Sequence, residues 1–112
     1  ELDAEIDFSE ITPKLVRILK QFEPFGPQNM TPVFVTQNVI DTGYPKFMGA
    51  NEEHIRLFVK QNNSEGIAAI GFNLAHKKDL VANRNPFQMA YCIDENEWNG
   101  QLSLQLRLKD IQ

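Results

Sequence analysis

Between Phe8 and Phe22 apolar residues recur at intervals of three and four; beyond Pro32 they recur at every second position. The first pattern is that of a helix with one face to bury: Phe8, Ile11, Leu15, Leu19 and Phe22 form the stripe, and Ile18 widens it. Lys14, Arg17, Lys20 and Gln21 fall on the other side. Thr12 followed by Pro13 supplies a hydroxyl cap and then a residue whose missing N–H is no loss in the first turn. Pro24 stops the helix. The reading is an acidic lead-in over 1–11, a connector helix over 12–22 and a stiff, proline-rich ordered connector over 23–32, followed by one β domain over 33–112.

The second pattern predicts strands. Val33–Ile40 is a β-rich run, broken by Asp41-Thr42-Gly43 and Tyr44-Pro45, with Lys46–Met48 as a short continuation. His54–Lys60 alternates cleanly, with Ile55, Leu57 and Val59 inward and His54, Arg56, Phe58 and Lys60 outward. Ile67–Phe72 is nearly continuous in apolar residues and reads as buried on both sides; Asn73 caps a short helix through Leu80. Pro86–Ile93 is the fourth strand and Asp94–Gly100 a loop. In the final strand Leu102, Leu104, Leu106 and Leu108 face inward, and Ser103, Gln105, Arg107 and Lys109 outward. The expected class is mostly β: a five-stranded Greek-key OB-like barrel with an N-terminal helix and a short helix between strands 3 and 4.

Composition narrows the class. A length of 112 residues with 42% hydrophobic content suits one domain with a real core. The single cysteine, Cys92, closes no internal disulfide and builds no thiolate metal cage; it reads as a buried structural thiol in a reducing, cytoplasmic setting. The longest apolar run is far short of a membrane span, and no signal-like segment opens the chain. The net charge of -4 is local: Glu1, Asp3, Glu5, Asp7 and Glu10 lie in the lead-in, leaving ten acidic residues against eleven lysines and arginines in the remainder. The domain itself is near neutral, so a local patch decides whether it meets an anionic partner.

Catalytic signatures are missing: no phosphate-binding glycine loop, no nucleophile elbow and no paired metal-binding histidines. His54 and His76 lie in different elements and read as solvated or half-buried imidazoles. Asp94, Glu95 and Glu97 are the one tight acidic group, read as a polar turn; a metal site there needs ligands converging from Asp79, Asp110 or His54. Binding is better supported. Arg56, Phe58 and Lys60 share one strand face, in the cation–aromatic–cation order that suits phosphates flanking an exposed base. Arg107 and Lys109 add a second basic row. Trp98 is open to base stacking, packing or partner contact, and Phe25 is available as a domain-interface anchor together with Trp98.

Several segments carry a family resemblance: Phe22-Glu23-Pro24-Phe25-Gly26-Pro27-Gln28-Asn29-Met30-Thr31-Pro32-Val33-Phe34, His54-Ile55-Arg56-Leu57, Ala69-Ile70-Gly71-Phe72, Asp94-Glu95-Asn96-Glu97-Trp98-Asn99-Gly100 and Leu104-Gln105-Leu106. In that order they resemble the C-terminal part of RecJ-type exonucleases, bacterial nucleases of the DHH phosphoesterase superfamily. The resemblance implies an OB-type domain, itself without catalytic residues, that helps hold single-stranded DNA near a nuclease core of the same chain. It places the parent enzyme in DNA repair and recombination, with 5′-end degradation driven by Mn2+ or Mg2+ in the core and no cofactor in this segment. A start at Glu1 rather than methionine fits an excised piece. Two other readings stay open: a structural or protein-interaction domain that orients the core, and a small metal-dependent enzyme built on the acidic loop.

Overall fold

A computed structural model describes residues 3–21 and 31–112, apart from the side chains of Asp3 and Trp98. The strands are β1 (Asp3–Glu5), β2 (Val33–Asp41), β3 (Lys46–Met48), β4 (His54–Gln61), β5 (Ile67–Gly71), β6 (Phe87–Trp98) and β7 (Gln101–Ile111); the helices are α1 (Pro13–Gln21) and the single-turn α2 (Lys78–Val81). The fold is mostly β and OB-like. All seven strands join one sheet in the order β1-β2-β6-β7-β5-β4-β3, and a further β2–β4 pairing curls it into a partial ring. β5 and β7 run parallel, as do β1 and β2, while the other pairs are antiparallel.

Inside the ring sits a hydrophobic core in which Val39, Ile55, Val59, Met89, Tyr91, Leu106 and Ile111 are fully enclosed. Most come from the inward parity of their strands, as period-two alternation requires; Ile111 joins them across the register shift in β7. Leu74 and Val81 extend the core from the segment between β5 and β6. Lys77 ties that segment to the end of β7, donating to Asp110 Oδ1 at 3.0 Å and to the Ile111 carbonyl at 2.9 Å. The Lys77 ammonium holds the Asp110 carboxyl below its usual range.

Among the described residues seven strands stand where five were expected. The added ones, β1 and β3, are three residues each, too short to show a period. β1 lies in the acidic lead-in and pairs with β2, and Phe8 just beyond it is buried against Tyr91. Helix α1 begins where the sequence places it: the Leu15 N–H donates to the Thr12 hydroxyl at 3.2 Å. None of its residues is fully buried.

Three further expectations are corrected. Asp94–Gly100 is not a loop: β6 runs on to Trp98 and turns through Asn99 and Gly100, both at positive φ, the two-residue Asn-Gly hairpin. Leu102 consequently lies near the hairpin tip, beyond the reach of the core, and is 60% exposed. Ile67–Gly71 is not buried on both faces; Ala69 and Gly71 point in while Ala68 and Ile70 are half-buried on the outer side, and Phe72 after them is exposed. Asn73 adopts a left-handed conformation instead of capping, and the helical turns run from Ala75 to Arg84.

Candidate nucleic-acid interface

The outer face of β3, β4 and β5 carries the residues that the sequence singled out. On β4 the core takes Ile55, Leu57 and Val59, which forces Arg56 and Phe58 outward into solvent and leaves His54 and Lys60 half-buried. The ladder builds rows across this face. Lys46 of β3 stands directly opposite Arg56, which stands opposite Ile70 of β5, which neighbours Arg107 of β7. In the next row Phe58 faces Ala68, which neighbours Gln105.

Charge on this face is unevenly committed. Arg107 donates to both carboxylate oxygens of Asp94, at 3.0 and 3.4 Å, a bond that raises its pKa above the usual arginine value. Among the described residues no ion pair engages Lys46, Arg56, Lys60 or Lys109. Like charges directly opposite in an antiparallel pair are destabilising, so Lys46 and Arg56 form a small concentrated positive site with no counter-ion among the described residues. Lys109 is exposed two residues beyond Arg107, where the β6–β7 register shifts.

Phe58 is held as a platform. Its N–H donates to Asp41 Oδ1 at 3.0 Å, and its carbonyl accepts from the Thr42 N–H at 2.8 Å and the Thr42 hydroxyl at 2.9 Å. Phe58 is 51% exposed, and its ring is backed by Gly66, where an added Cβ would come within 2.1 Å of it. It borders an open groove of about 600 Å³ that also runs past Phe8, Ser64, Ala68 and Ser103.

The expected acidic loop dissolves into β6, and two of its three carboxylates are engaged separately: Asp94 by Arg107, Glu95 by Lys20 at 2.8 Å. Among the described residues no group of three His, Cys, Asp or Glu side chains is placed to hold a metal ion. Cys92 is fully buried. No described helix is long and apolar enough to cross a membrane. Phe25 and the Trp98 side chain lie outside the described residues.

Lys46, Tyr44 and Phe72 escaped the sequence reading. Lys46 enters only through the pairing of β3 with β4, Tyr44 stands 91% exposed on the loop before β3, and Phe72 is 53% exposed past the end of β5. The parity of Ala68, Ile70 and Phe72, opposite to that of buried Ala69 and Gly71, was the available signal for the last.

A curled, mostly β sheet with a basic and aromatic outer face defines the class, an OB-like domain. The model of the RecJ OB domain family matches residues 2–110, and the chain belongs to that family. Among solved structures it is similar to RecJ from Thermus thermophilus in complex with Mn2+ (TM-score 0.60) and in complex with Mg2+ (TM-score 0.61). Each is 21% identical over 89% of this chain, a likeness that shows the fold. The chain spans about 14% of the length of those proteins. A comparison with curated proteins finds no match.

Proposed function

We propose that this domain is a noncatalytic single-stranded-DNA-binding module that positions a strand for a larger 5′–3′ exonuclease. Its ring β2-β6-β7-β5-β4 is read as the five-stranded Greek-key barrel, with β1 and β3 as additions at its margins. The observation that carries the function is the uncompensated Lys46–Arg56 pair beside the exposed, backed ring of Phe58. A phosphate between the two cations relieves their repulsion, and the ring takes the face of a neighbouring base. The divalent-metal chemistry of such a nuclease, with Mn2+ or Mg2+, belongs to a core outside these 112 residues.

The test is a fluorescence-anisotropy titration of the chain with a labelled oligothymidylate at several salt concentrations. Saturable, salt-sensitive binding is expected. In the double variant Lys46→Ala/Arg56→Ala the slope of log K against log salt should fall by about 1.4, at roughly 0.7 per single-strand phosphate. Affinity near 0.1 M salt should drop roughly 10- to 30-fold by the same relation. An unchanged slope removes both residues from the interface.

Gly66 offers a sharper probe of the platform. Gly66→Ala pushes a methyl into the Phe58 ring and swings it off its backing. Binding should weaken by roughly 1–3 kcal/mol, the value of one stacked base, while the thermal midpoint stays within a few degrees. Equal affinity for the variant and the parent would mean that the ring does not stack.

A second reading has its own support on another face. Exposed Leu102 joins Ile11, Val16 and Leu104 around a groove of about 360 Å³ beside α1. This face suits contact with the nuclease core of the longer chain, and it becomes the leading reading if no oligonucleotide binds.

A further inference from the structure

The binding face carries a second aromatic position that the Lys46–Arg56–Phe58 site does not use. Phe72 follows β5 directly and is 53% exposed. The ladder pairs Ile55 with Gly71, which sets Phe72 beside His54 on the outer face. The two rings meet edge to face, with centroids 5.2 Å apart and planes at 74°. His54 is itself tied down: its Nδ1 accepts the Asn73 N–H at 3.0 Å, and its Nε2 lies 3.6 Å from Glu53 Oε2. Asn73 adopts positive φ, so the chain turns away immediately and leaves the ring unroofed.

Resting on the single-strand-binding reading, we propose that Phe72, oriented by His54, is a second base-stacking position, so that one DNA strand runs along β4 from Phe58 to Phe72. Four residues of β4 separate Phe58 from His54, a span of about 13 Å at 3.3 Å per residue. Bases at a B-form rise of 3.4 Å cover that distance in about four steps, and an extended strand in fewer. Arg56 lies between the two rings with Lys46 across from it, where the backbone joining the two stacked bases must pass. An aromatic face can accept any base, so the arrangement predicts length dependence with little sequence preference.

The experiment uses the 112-residue chain with oligothymidylates of increasing length, and 5-iodouracil-substituted versions for photocrosslinking with peptide mapping. Affinity should climb until the oligonucleotide reaches both rings and then rise more slowly. Crosslinks should map to Phe72 as well as Phe58. Phe72→Leu keeps an apolar side chain but offers no ring, and it should lose roughly 5- to 100-fold in affinity for the longer oligonucleotides. Phe72→Tyr should retain binding. Unchanged circular dichroism in both variants separates stacking from support of the fold. If the parent binds while Phe72→Leu matches it and crosslinks stay at Phe58, the second position is overturned and the first stands. If the parent binds no oligonucleotide, both fail together.

Discussion

Gln61→Leu will lower the unfolding free energy by roughly 2–4 kcal/mol, although the two side chains are similar in size. Gln61 ends β4, is only 6% exposed and commits its whole amide to hydrogen bonds. Its Oε1 accepts the Phe8 N–H at 2.7 Å; its Nε2 donates to the Gln37 carbonyl at 2.8 Å and to Asp7 Oδ1 at 3.1 Å. The Gln37 carbonyl needs that donor because β2 is interrupted between Thr36 and Val39, where Asn38 adopts positive φ and the ladder to β6 breaks register. Leucine leaves the buried Phe8 N–H without a partner, the costly half of losing a hydrogen bond, and takes the donor from the part-buried Gln37 carbonyl. The damage should concentrate at the N-terminal segment, since Phe8 is docked in the core through this amide. Urea denaturation measures the loss. Amide exchange locates it: the Ile6 N–H, bonded to Val35 O at 2.9 Å, should exchange faster in the variant. A variant within about 0.5 kcal/mol of the parent would show that the network contributes no net stability.

That interior network also shows where sequence reading stops. The alternation of His54–Lys60 placed Arg56 and Phe58 on the outer face because a half-buried strand has one unambiguous parity. The same logic failed for Leu102: alternation assigns a face, but the hairpin tip extends past the core and leaves that face nothing to cover it. At the far end of β7 the register shifts at Lys109, so Leu108 and Ile111 both reach the core although they are three apart. Asn-Gly at 99–100 was a legible hairpin signal, hidden by the acidic residues before it. Other turns are less legible because asparagine takes the left-handed positions at Asn38, Asn62, Asn73 and Asn83, and asparagine is common in many contexts. The cation opposite Arg56 depended on β3, whose three residues carry no period at all. The part of the site on β4 was therefore readable, and the parts contributed by β3 and by the end of β5 required the pairing.

Stability will also fall as pH rises from about 10 to about 12, and Tyr91 is the group responsible. Its ring is enclosed by Phe8 and Phe34, each with centroids 6.2 Å away, and burial pushes its pKa up from 10.0 to about 12. The hydroxyl lies 2.7 Å from Thr36 Oγ1, and the Thr36 hydroxyl donates its one hydrogen to the Ile6 carbonyl at 2.9 Å. Tyr91 is therefore the donor of the pair. A phenolate gains a hydrogen bond from Thr36 only if Thr36 abandons Ile6, so burial outweighs that relief. In the window between the two pKa values the unfolded chain releases this proton while the folded one keeps it. The unfolded state then binds fewer protons, and unfolding becomes easier with each step up in pH. A shift of about two units corresponds to about 2–3 kcal/mol of stability, present in full below about pH 10 and lost above about pH 12. Tyr91→Phe supplies the control. It should be less stable than the parent at neutral pH by roughly 0.5–1.5 kcal/mol, the net worth of one hydrogen bond, and should decline less steeply across the window, where lysine ion pairs are also being lost. Denaturant melts at intervals of pH give the slopes, and the difference in phenolate absorbance between the two proteins isolates the Tyr91 titration. Parallel slopes for the parent and Tyr91→Phe would place the alkaline loss of stability elsewhere.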